Sequence, residues 1–236
     1  MNHLSAMKLA LKKRPEGEYC NTDLIRYREF RNQYGKSALT AGAKALRSWF
    51  ENFPVYIYEY DKIAGSRHGN FCRNVDSLEL NRAKAIYGSY GRLAFWNNND
   101  HYAPGYERFL REGICGTMAR IEESLLVHRE DPDKVEFLNA QKETLTGFSA
   151  FVRRHGEAAL EAVEKTDNLD CKAELTALAA DLAFIAWNAP VTLRQALNLV
   201  WLAHLSFHFQ GKYAMAMGRM DQYLYPYYRH DIDNGI

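Results

Sequence analysis

The chain has 236 residues, 47% of them hydrophobic, enough to bury a substantial core in one or two domains. Its 30 Lys and Arg residues nearly balance 29 acids, so a net charge of +1 supplies no general attraction for nucleic acid or a membrane surface, and neither is expected as a partner. Cys20, Cys72, Cys115 and Cys171 are scattered without a Cys-x-x-Cys pair, which argues against a zinc ribbon or an iron–sulfur cluster held here and fits reduced thiols in a cytoplasmic protein.

Residues 1–21 are polar, carry Lys12-Lys13-Arg14, Pro15 and Gly17, and read as a flexible arm without the apolar core or cleavage site of a secretory leader. Asn21 or Thr22 is the expected cap of a first helix, so the ordered region is expected over 22–236. A second helix, about Lys36 to Asn52, should stop before Pro54, because the residue preceding a proline is pushed out of the α region. Val55-Tyr56-Ile57-Tyr58 then alternates as an extended segment, and Ile63-Ala64-Gly65 is a turn.

From Tyr106 the apolar residues Phe109, Leu110, Ile114, Met118, Ile121 and Leu125 recur at helical spacing with charges between them. Asp131-Pro132-Asp133 supplies a cap and a first-turn proline for a second long helix to about Glu164, and the short connection favours an antiparallel pair. After a break at Thr166 to Asp170, a further helix runs through Leu175, Leu178, Leu182 and Ile185. Thr192 and Gln195 form a capping-box signature for a helix running toward Gly211. Its apolar stretch, Leu197 to Phe209, is too short to span a bilayer and contains His204 and His208. Tyr213 to Met217 is short, apolar and bounded by Gly211 and Gly218, the pattern of a strand.

The most specific string is Gly218-Arg219-Met220-Asp221-Gln222-Tyr223-Leu224-Tyr225-Pro226-Tyr227-Tyr228, followed by Asp231. It resembles a block of the glycyl radical enzymes, the family of pyruvate formate-lyase, glycerol dehydratase and choline lyase. Collinear with it, Asp100-His101 to Gly113, Phe137-Leu138-x-Ala140, Arg153-Arg154-His155-Gly156 and Ala189 to Leu197 resemble further blocks of the family. The resemblance implies a barrel of two five-stranded halves wrapped by helices. The expected fold class is therefore mainly α: the N-terminal helical part and first strand or strands of that α/β barrel, with 22–236 an incomplete domain.

Members of the family abstract hydrogen with a cysteine thiyl radical generated from a glycyl radical, at motifs like Gly-Cys-x-Glu and Arg-Val-x-Gly-Tyr. These 236 residues contain neither, so the resemblance implies an N-terminal fragment that is inactive alone and carries no catalytic residue, metal or cofactor of its own. The complete enzyme would cleave C–C, C–O or C–N bonds of a small substrate as a lyase, or act as a formate C-acetyltransferase. It would carry a glycyl radical installed by a separate S-adenosylmethionine and iron–sulfur activating enzyme in an anaerobic cytoplasm. The implied partners are the missing C-terminal portion or a complementing chain, that activating enzyme, and possible homodimerisation. The alternative is a non-catalytic helical scaffolding module derived from the family. On the leading reading, a barrel strand ending in Tyr223 to Tyr228 would lack its neighbours, and the chain would self-associate.

His101 occupies the place from which a histidine of dehydratase-type members reaches the substrate, where an imidazole can hydrogen-bond or exchange protons with a hydroxyl. The competing reading is a loop histidine capping the helix that begins near Pro104. Tyr213 and Ala214 stand where those members carry a polar His-Ser pair, so a diol site is in doubt and the pocket should be more apolar. Gly218, Arg219, Asp221, Gln222, Tyr225, Pro226, Tyr227 and Tyr228 are read as a structural motif, with Arg219 and Asp221 in a buried network. His204 and His208 have the spacing of a zinc protease pair, but Leu205-Ser206-Phe207 lacks the glutamate, so they read as structural histidines rather than a zinc hydrolase site. Cys115 has no acid two residues later and reads as core, not as the thiyl cysteine.

Overall fold

A computed structural model describes residues 35–65, 101–210, 212 and 214–236, together with 5, 28, 29, 31–33, 78, 79, 81, 82 and 85. The cap at Asn21 or Thr22 and all of the 1–21 arm except Ser5 lie outside the described residues. Among these residues the ordered elements are helices: α1 (Ala38–Asn52), α2 (Tyr106–Val127), α3 (Pro132–Lys165), α4 (Leu169–Ile185), α5 (Leu193–Phe209), the single turn α6 (Met220–Tyr223) and α7 (Tyr225–Asn234). None is long and apolar enough to cross a membrane.

Side-chain oxygens that satisfy otherwise orphaned amides set most of the helix starts. Ser37 Oγ accepts from the Thr40 N–H, Asp131 from Lys134, and Asn168 from both Asp170 and Cys171. Thr192 and Gln195 close the expected capping box. At the other end of α1, Phe53 is extended before Pro54, and Arg154 Nη1 donates to the carbonyls of Phe50 and Phe53 at 2.9 and 2.8 Å. The 34-residue α3 is the spine. Glu122 meets Lys142 while Phe109 meets Phe148, so α2 runs antiparallel to it. Arg47 meets Glu143 while Phe50 meets Arg154, so α1 runs parallel.

Trp49, Phe50, Phe53, Phe148 and Phe151 fill the α1–α3 seam with ring centroids 4.5 to 5.8 Å apart in their closer pairs. Leu178, Leu182 and Ile185 from α4 and Leu199, Leu202 and Leu205 from α5 extend this core. The backbones come close at Gly147, where a Cβ would sit 2.8 Å from Arg47 Cα.

Three expectations are corrected. The helix from Tyr106 is interrupted at Gly113 (φ 64°, ψ −169°), where a Cβ would lie 2.4 Å from the Ala189 nitrogen. The gap admits the α4–α5 connection, and Cys115 N–H donates to Trp187 O at 2.7 Å. Second, no strand is present among the described residues: Ala214 to Met217, which has the pattern of a strand, is irregular, with Ala216 N–H donating to Tyr102 O but no strand assigned beside it. Third, Tyr223 to Tyr228 is not a strand end but helix, because Pro226 presets φ for the first turn of α7 and Leu224 N–H closes onto Met220 O.

Candidate functional site

The loop before α2 and the segment after α5 run side by side. Tyr102 O accepts from Ala216 N–H at 3.1 Å, and a Cβ on Gly218, whose φ is 70°, would meet Ala103 Cβ at 3.6 Å. His101 and Ala214, far apart in sequence, therefore stand on neighbouring stretches of chain, both exposed. Tyr213 lies outside the described residues.

Behind these loops, Tyr106 at the start of α2 places its hydroxyl 2.8 Å from His204 Nδ1, and His204 Nε2 lies 2.9 Å from His208 Nε2. Trp201 stacks on His204 and Tyr223 packs beside Tyr106. Tyr106 and His204 are buried. Burial raises the Tyr106 phenol above its ordinary range, with Tyr223 and Tyr102 adding to it, and lowers His204, with His208 adding to that. Both shifts favour neutral forms, so Tyr106 and His204 meet in a neutral hydrogen bond that ties α2 to α5. Among the described residues no three His, Cys, Asp or Glu side chains gather as metal ligands.

The expectation of a buried Arg219–Asp221 network is corrected. The two side chains form a bidentate pair at 3.0 and 2.7 Å, but they are 69% and 66% exposed, facing solvent from the α6 turn. Gln222, Tyr225, Pro226 and Tyr228 are likewise exposed, and Tyr227 is half-buried against the core. Leu224 is the buried anchor of the block. Cys115 is half-buried rather than core, with Sγ 3.7 Å from Glu112 O.

The sequence reading missed two features. Asp231 Oδ2 accepts the Leu193 N–H at 2.9 Å, so the acid that ends the motif satisfies an amide at the start of α5. A carboxylate within a proline-started helix was the available signal, but its target lies 38 residues back. The second is an apolar groove of about 840 Å³ between α1, α2, α3 and α5, walled by Leu46, Phe109, Phe137, Leu145 and Phe207 and carrying Arg108 and Arg120. Four helices make it, so no local pattern announces it.

A family model described as pyruvate formate lyase-like matches residues 76–236. The (2S)-3-sulfopropanediol dehydratase of Klebsiella oxytoca is 30% identical over 168 residues, covering 66% of this chain and 20% of that protein. The 4-hydroxyphenylacetate decarboxylase glycyl radical subunit of Clostridioides difficile (strain 630) is 34% identical over 107 residues, covering 44% of this chain and 12% of that protein. Among solved structures, the Roseburia inulinivorans protein of 1,2-propanediol dehydration superposes with a TM-score of 0.82 at 18% identity, over 100% of this chain and 35% of its own. The glycerol-bound B12-independent glycerol dehydratase of Clostridium butyricum gives 0.75 at 20% identity, over 90% and 35%. The chain thus spans a fifth or less of the length of these curated relatives.

Proposed function

The chain belongs to the pyruvate formate lyase-like family, and from that premise we propose that residues 22–236 are the N-terminal helical portion of a glycyl radical enzyme, with 1–21 a flexible arm. The radical-bearing portion is supplied by further sequence or by a complementing chain, and these 236 residues are inactive alone. The observation that carries the reading is the family match over 76–236, which includes the whole Gly218 to Tyr228 block.

In the complete cytoplasmic enzyme a separate S-adenosylmethionine-dependent activating enzyme installs the glycyl radical, which supplies the hydrogen-abstracting chemistry. The part of this chain is positional. His101 and Tyr213 are the substrate-binding residues of this portion, and His101 offers an imidazole to a substrate hydroxyl or other oxygen. Ala214, without a polar side chain, makes that side of the site more apolar than a diol-binding one. The dehydratase and decarboxylase relatives favour a lyase reaction over acetyl transfer.

The test is to isolate the native polypeptide that carries these residues, treat it anaerobically with its activating enzyme and S-adenosylmethionine, and record its electron paramagnetic resonance spectrum. A glycyl radical signal in the native protein, and none from the 236 residues alone, is expected. A native protein that never forms the radical would leave the scaffolding reading. The continuous core and capped helix starts of the α1–α5 bundle favour that second reading.

A further inference from the structure

We propose that the groove between α1, α2, α3 and α5 is a binding site for an anionic amphiphile, an acyl chain that ends in a carboxylate. Its surface is apolar: Phe50 and Phe148 are buried beneath it, and Leu46, Phe109, Leu145 and Phe207 line its sides. At about 840 Å³ it falls within the roughly 300–1,000 Å³ of small-molecule sites. Along α2 its lining runs from Gly105 to Ser124, about 28 Å at 1.5 Å per residue, long enough for an extended palmitoyl chain.

The groups that would hold the carboxylate gather at one end. The Tyr106–His204 hydrogen bond and the Ala216 N–H bond to Tyr102 O bring the end of α5 against the start of α2, so Arg108, Gln210 and Lys212 edge the same end of the groove. The Arg108 and Lys212 side chains meet no acid among the described residues, and no Asp or Glu lines the groove. The third cation, Arg120, is already paired with Glu112 at 3.0 and 3.2 Å. Gln210 Nε2 is buried and donates to nothing among the described residues, so a ligand oxygen would satisfy it. Beside these groups, α2 begins at Gly105 without a side-chain cap, which leaves the positive end of its dipole open.

Two cations and an orphaned donor at one end of an apolar groove complement one negative charge at the end of one apolar chain. An uncharged chain would leave those groups unanswered, and a cationic one would be repelled by them. The ligand is taken up as a monomer, because a net charge of +1 gives the chain no general attraction for an anionic bilayer. The site does not depend on how the chain is completed, since every residue in it belongs to α1, α2, α3, α5 or the loops that flank them.

The test uses the native polypeptide that carries these residues and the fluorescent fatty acid cis-parinaric acid, displaced by competitors held below their micelle concentrations. Palmitate should displace it from one site per chain. Hexadecanol, with the same chain and no charge, should need about tenfold more, the effect of one charge-assisted contact. Hexadecyltrimethylammonium should displace it least. Arg108→Ala and Lys212→Ala should each remove most of the gap between palmitate and hexadecanol while leaving hexadecanol unchanged, a result that misfolding does not produce. Phe137→Asp, at a half-exposed apolar position of the groove, should weaken both competitors about tenfold. Equal displacement by palmitate and hexadecanol overturns the proposal, as does a gap that survives in both cation variants. Uptake only from phosphatidylcholine vesicles loaded with palmitate, or no uptake of the probe at all, overturns it too.

Discussion

The bundle of α1 to α5 and the tail from Ala214 to Ile236 solve the same problem differently. In the bundle, helices approach until backbones touch, as at Gly113 and Gly147, and the starts of α1, α3, α4 and α5 are each capped by a side chain. The tail buries Leu224 and half-buries Tyr223 and Tyr227, ties itself to α5 through Asp231, and leaves its other face to solvent. Stability in this chain should therefore be concentrated in the first region.

Substitutions at two positive-φ glycines, Gly113 with ψ −169° and Gly235 in the left-handed helical region with ψ 29°, give the sharpest test of that contrast. Gly113→Ala places a methyl 2.4 Å from a backbone nitrogen at a positive φ and should cost about 4 kcal/mol or prevent folding, read by denaturant melts. Gly235→Ala, with φ 68° but nothing within 4 Å, should cost about 1 kcal/mol. Equal costs would break the distinction.

Acid should also act through the bundle first. His155 is fully buried with Nδ1 on Phe151 O, and burial lowers its pKa from 6.5 to about 4. Its depressed folded value means that the neutral form is the stabilising one. Stability is complete above about pH 6.5, falls as the unfolded chain takes up a proton, and levels off below about pH 4, a loss on the order of 3 kcal/mol. Thermal melts across that window should show the decline, and His155→Gln should flatten it.

Smaller effects belong to the tail. Asp231→Ala removes the acceptor of the Leu193 amide and should cost about 1 kcal/mol, while Asp231→Asn, which keeps an oxygen there, should cost less; hydrogen exchange at Leu193 reports the difference. Arg219→Ala should leave the melting temperature unchanged, because the Arg219–Asp221 pair faces water. A clear loss of stability there would mean that the pair is covered in solution.

Much of the bundle was legible because local signals suffice for it. Ser37, Asp131-Pro132, Asn168 and Thr192 with Gln195 start their helices, and Phe53-Pro54 stops one, within a few residues of the apolar periodicity. The tail was misread for the same reason. Met215 and Met217 have the composition of a strand, but no strand is assigned beside them among the described residues, and Pro226 turns the tyrosines into a helix. Of the site, His101 and Ala214 could be named from their blocks, but not their adjacency, which depends on Ala216 meeting Tyr102 across the fold.

The sequence by itself determined the family, the helix spans of the bundle and the absence of the thiyl and glycyl motifs from these 236 residues, because each is written in neighbouring residues or in an unusual string. The tertiary structure decided the break at Gly113, the Tyr106–His204–His208 chain, the reach of Asp231 to Leu193 and the apolar groove between α1, α2, α3 and α5. Each of these depends on which distant backbone arrives, and spacing along the chain does not encode that distance.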